Sequence, residues 1–109
     1  MSVQKLQGYV AGLAFANAAL HFLAAISPMA GPLAAPLAGF GVANAVAAVL
    51  ARRGRSGVIA AMAVCGIGLA IGGPKYLQDG GSYLMPVMFL IDAAVLALGA
   101  VFLARSKKS

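Results

Sequence analysis

Ser82–Ala104, SYLMPVMFLIDAAVLALGAVFLA, is 23 residues of almost unbroken apolar character with one acid, Asp92, near its middle. About 20 apolar residues span the roughly 30 Å hydrocarbon core of a bilayer, so this stretch predicts a membrane-crossing helix. A carboxylate at the centre of such a helix costs about 2.5–3.5 kcal/mol on insertion scales. A partner side chain, a proton, a water-filled cavity or a ligand must offset that cost. What Asp92 faces is therefore the central functional question. The chain has only one other acid, Asp79.

Working outward, the rest of the chain repeats the pattern. Hydrophobic residues make up 62% and charged residues 9% of the 109 positions. A soluble domain carries about 25% charged residues, and this chain could not cover a soluble surface with so few. The composition therefore predicts an integral membrane protein with one transmembrane domain over residues 1–109. Apolar runs at about 8–27, 31–51, 58–73 and 82–104 predict an all-α four-helix bundle. Lys5 ahead of the first run could mark a signal peptide. The run is too long for one, Asn17 and His21 interrupt it, and no clean small-residue cleavage site follows; a retained helix is expected.

Pro28, Pro32 and Pro36 follow the first run at four-residue intervals. Pro28 is expected to end helix one, because the residue before a proline avoids helical geometry. Pro32 suits the first turn of helix two. Pro36 either kinks that helix or marks its true start. Arg52-Arg53-Gly54-Arg55-Ser56-Gly57 reads as a tight basic turn. Gly72-Gly73-Pro74 is expected to stop helix three, leaving KYLQDGG, 75–81, as a polar loop.

The net charge is +6. The basic residues sit at the ends of apolar runs and are not interleaved with aromatic stacking platforms, which argues against nucleic-acid binding. Lys5, Arg52, Arg53, Arg55, Arg105, Lys107 and Lys108 fall on one side of a four-span topology, against Lys75 on the other. The positive-inside rule then predicts that both termini are cytoplasmic. A bacterial inner membrane is the expected location.

Small residues recur every four positions: Gly8 and Gly12 in helix one, Gly39 in helix two, Gly68 and Gly72 in helix three. Such faces let membrane helices approach closely. Packing within one bundle is the favoured reading, and a dimer interface the alternative. Cys65, the one cysteine, is expected to behave as a small buried hydrophobe.

The polar residues within the spans are Asn17, His21, Asn44 and Asp92. Asn17 and His21 are four apart and share a helix face. At 1.5 Å per residue, His21 lies roughly 10 Å from the outer end of its helix, and Asp92 and Asn17 roughly 15 Å. Asn44 is expected to sit deeper, toward the cytoplasm. If helices one and four pack together, Asp92 can reach His21 or Asn17. That arrangement suits a proton relay, and equally a static clamp that sets helix register. A single histidine cannot make a bis-histidine metal or haem site without a second copy. Met85 and Met88, on the Asp92 face, read as packing. No cofactor or metal motif, phosphate loop, paired carboxylates or Ser-His-Asp set is found, so an enzyme is not expected.

GLAFANAALHFLAA at 12–25, the proline-rich loop and ARRGRSG at 51–57 together resemble the DoxX-like family of small four-helix bacterial membrane proteins. The resemblance implies a four-helix membrane fold and roles accessory to redox complexes; where that family often carries an acid in helix two, this chain has Asn44. Two functions are therefore expected. One is a non-catalytic helical module, an accessory subunit or self-associating bundle docking other membrane helices in the lipid bilayer. The other is a small homo-oligomeric transporter or channel that uses Asp92 and His21 for proton or cation coupling.

Overall fold

The computed structural model describes residues 2–27, 31, 34–79 and 85–106. These residues form four helices: α1 Val3–Ala25, α2 Ala34–Ala51, α3 Arg55–Asp79 and α4 Met85–Ser106. Each is long and apolar enough to cross a membrane. The helices pack in chain order around a ring, α1 on α2, α2 on α3, α3 on α4 and α4 back on α1. α1 and α3 also touch across the middle, so the α2–α4 diagonal is the open one. The particle measures 46 × 22 × 18 Å.

Local chemistry accounts for most of the boundaries, and several differ from the sequence reading. α1 begins at Val3 rather than Gly8 because Ser2 caps it, its hydroxyl accepting the Lys5 backbone N–H at 3.1 Å. α1 ends at Ala25, with Ile26 as its cap; Pro28 and Pro32 lie outside the described residues. α2 is described from Ala34 and contains Pro36; residues 32 and 33, on which the reading of Pro36 turns, lie outside the described residues. Only Arg52, Arg53 and Gly54 separate α2 from α3. A turn this short brings the helices so close that a Cβ on Gly57 would lie 1.8 Å from the Leu50 carbonyl oxygen.

The largest departure is in α3. Gly72-Gly73-Pro74 does not stop it, and the helix runs through Pro74 to Asp79. A proline inside a helix removes one backbone hydrogen bond and crowds the preceding turn. Here tertiary packing outweighs that local signal: the Tyr76 ring meets Phe89 of α4 edge-on, with centroids 5.9 Å apart. Residues 75–79, expected in a polar loop, are the last turn of α3. At 25 residues, α3 is about 37 Å long and overshoots a bilayer core. α4 is described from Met85 and continues two residues past Ala104; the expected start at Ser82 lies outside the described residues.

Helix exteriors carry large aliphatic side chains, Val42, Val46, Ile59, Ile67, Ile71 and Leu90 among them, while Asn17, Asn44, His21 and Asp92 are buried. This inverts the pattern of a soluble bundle. Lys5, Arg52, Arg53, Arg55 and Arg105 all fall at one end, called here the basic end. Gln7 Nε2 donates there to the Ala51 carbonyl at 2.8 Å, and Arg55 Nη1 to the Leu103 carbonyl at 3.2 Å. These bonds satisfy carbonyls that the ends of α2 and α4 would otherwise leave open. The core of the basic half is continuous, with Leu6, Val10, Ala47, Val58, Val95 and Phe102 in one cluster. The opposite half has a smaller buried set, Ala24, Leu37 and Met88.

Candidate functional site

Between the two cores lies a polar layer with one side chain from each helix: Asn17 of α1, Asn44 of α2, Cys65 of α3 and Asp92 of α4. All four are at most 2% exposed. Asn17 is the hub. Its Nδ2 donates to Asp92 Oδ1 at 2.5 Å and to Asn44 Oδ1 at 3.3 Å. The Cys65 thiol also points at Asn44 Oδ1, at 3.8 Å. Asn44 Nδ2 donates to the Phe40 carbonyl one turn back on its own helix, at 2.9 Å. Asn44 is thus fixed with its oxygen toward the layer.

His21 joins through the same residue. Its Nδ1 lies 2.7 Å from the Asn17 backbone carbonyl. A carbonyl only accepts, so Nδ1 carries a proton and donates to it. The ring lies against Phe40, with centroids 6.2 Å apart. Asn17 therefore holds both ionisable groups, Asp92 with its side chain and His21 with its carbonyl. Sequence spacing allowed Asp92 to reach either His21 or Asn17. The structure gives its hydrogen bond to Asn17.

Above the layer, toward the end opposite the basic one, a cavity of about 190 Å³ opens. Asp92, Gly68 and His21 line its deep end. Leu37, Phe40, Met88 and Phe89 form walls, and Lys75 lies farther out. The open α2–α4 diagonal leaves this space. Glycines widen it: a Cβ on Gly68 would sit 3.5 Å from Asp92 Oδ2, and one on Gly72 3.2 Å from Phe89. Asp92 is therefore anchored through Oδ1 from behind while Oδ2 stands at the cavity edge.

A donor and acceptor count describes what this arrangement can do. The acceptors are both Asp92 oxygens and the side-chain oxygens of Asn17 and Asn44. The donors not already spent on backbone carbonyls are the Asn17 amide hydrogens, the Cys65 thiol and one Asn44 hydrogen. Asn17 Oδ1 is buried without a hydrogen-bond partner among the described residues. Leaving such an atom unpaired costs about 1–3 kcal/mol. A species that brings an N–H or O–H group fits this unpaired oxygen. Among the described residues, no group of three or more His, Cys, Asp or Glu is placed to hold a metal ion.

Asn44 lies about 15 Å from the end of α2 opposite the basic one, against roughly 12 Å for Asn17 in α1, slightly deeper as expected, and its side chain still reaches Asn17. Two sequence expectations change here. Cys65 belongs to the apolar core, as a small hydrophobe would, but its thiol also faces the polar layer. Its only sequence signal was a polarisable S–H in an otherwise apolar run. Among the glycines, Gly68 and Gly72 meet neighbouring helices. Gly8, Gly12 and Gly39 face outward, with nothing within 4 Å of where a Cβ would be.

The fold and the layer together define a class: a four-helix bundle of membrane-spanning length, organised around a buried acid, two amides and a thiol. No protein-family model matches the chain, and no curated protein or solved structure matches it.

Proposed function

We propose that the protein is a small membrane transporter or channel that couples to a proton or cation through Asp92 and His21. The observation that carries this reading is the cavity that reaches both Asp92 and His21. A clamp that only fixed helix register needs no opening beside its acid. Here Asp92 Oδ2 stands at the edge of a cavity that His21 also lines. Intramembrane acids that line cavities mark ion and substrate paths. The charge asymmetry favours placing the basic end and both termini in the cytoplasm, with the cavity opening outward from a bacterial inner membrane.

The test is proton flux into proteoliposomes loaded with a pH-sensitive dye under an imposed gradient. Asp92→Asn should reduce the protein-dependent flux at least tenfold while circular dichroism shows unchanged helix content. Equal flux in the variant, or no flux above empty vesicles for the native chain, would sink the reading.

A second reading has its own observation. The outward-facing Gly8 and Gly12 on α1 and Gly39 on α2 suit docking to other membrane helices, as an accessory module would require. The likeness of 12–25 and 51–57 to the DoxX-like family points the same way. Co-purification of foreign subunits in mild detergent, with no flux by the isolated chain, would favour it.

A further inference from the structure

We propose that the cavity binds a small primary monoamine with an apolar body, seated with its ammonium inward between Asp92 and His21. The inference rests on the reading of this cavity as the coupling site, and it names the ligand class.

Size comes first. A dry cavity of about 150 Å³ accommodates benzene. The space here, about 190 Å³, suits a ring or branched chain with one or two further heavy atoms. The walls come next. Leu37, Phe40, Met88 and Phe89 offer hydrocarbon, aromatic faces and a thioether, and among the described residues no hydrogen-bonding side chain lies between them and the deep end. The ligand body must therefore be apolar.

The deep end sets the head group. Asp92 places Oδ2 at the Gly68 edge of the cavity, and His21 lines the same end. An ammonium seated there gives N–H groups to the carboxyl group and pairs with its ionised form, offsetting the cost of holding that charge in an apolar surround. The Phe40 ring beside His21 adds a favourable face for a cation. A quaternary ammonium would match the charge but has no N–H to give. An alcohol would have one donor and no charge.

Lys75 sets the number of charges. It lies seven residues beyond Gly68 on α3, about 10 Å farther along the helix axis. A ligand of about eight heavy atoms stops short of it. A diamine long enough to fill the cavity would bring its second positive charge toward this lysine, so a monoamine is selected.

The experiment is calorimetric titration of the full chain in detergent with benzylamine, benzyltrimethylammonium and benzyl alcohol. Benzylamine should bind at least tenfold more tightly than either of the others. Asp92→Asn should weaken benzylamine at least tenfold and leave benzyl alcohol unchanged. Gly68→Ala gives a second variant that keeps the acid. Its added methyl makes only ordinary contact with Asp92 Oδ2, so the bundle holds, yet it occupies the ammonium's approach. It should weaken benzylamine several-fold. Equal binding of all three ligands would show a cavity that takes hydrocarbon without reading charge. Absence of benzylamine binding, or binding indifferent to both variants, would equally overturn the proposal. Proton flux lost in Asp92→Asn proteoliposomes alongside any of these results would leave the coupling reading standing and remove only the amine.

Discussion

The two halves of the bundle are built from similar residues to opposite ends. In the basic half, small side chains such as Ala11, Ala47, Ala51 and Ala61 let the helices close on a continuous core. In the opposite half, the small residues Gly68 and Gly72 sit against Asp92 and Phe89 and line an open cavity. Small residues thus mean close packing where they face one another, and space where they face large side chains across an open diagonal. A small-residue count cannot tell these cases apart. The neighbour across the bundle decides.

The first way to break the comparison is at the tightest point of the basic half. Gly57→Val forces a side chain into the Leu50 backbone, which cannot move as a side-chain tip can. Overpacking costs about 1–3 kcal/mol and occasionally more, and this contact belongs at the top of that range. Unfolding in SDS titrations should shift by about 3 kcal/mol. An unchanged transition would mean that the α2–α3 turn is looser than described.

A matched pair of truncations sharpens the comparison. Leu6 and Leu37 are both buried, Leu6 in the closed core and Leu37 at the cavity wall. Leu6→Ala opens a new void and should cost about 2–5 kcal/mol. Leu37→Ala only enlarges an existing space and should fall at or below the low end of that range. Equal losses in the same denaturation assay would erase the distinction between the halves.

The parts of this architecture that were legible in the sequence are those that depend on length and rise. Four apolar runs separated by prolines, glycines and arginines specify four helices, and 1.5 Å per residue puts Asn17, His21 and Asp92 in one band. Whatever depends on how one helix meets another was hidden. Gly72-Gly73-Pro74 misled because a local stop signal says nothing of Tyr76 packing on Phe89. The Cys65 thiol enters the layer through the rotation of α3, and the cavity exists through the open α2–α4 diagonal. Neither leaves a mark in a single chain.

The smallest expected effect concerns the outer surface, where neither half's packing reaches. Gly8 and Gly12 lie exposed on the basic half of α1, one turn apart, with no neighbour near a prospective Cβ. Gly12→Leu should leave the stability of the isolated bundle within about 0.5 kcal/mol, as expected for a surface site away from any packed feature. The informative readout is therefore the particle mass in mild detergent. An unchanged mass means that this stripe faces lipid and that any oligomer forms elsewhere. A fall in mass at unchanged fold means that α1 docks a partner helix here. The small residues of the basic half would then serve association on the outside as they serve closure on the inside.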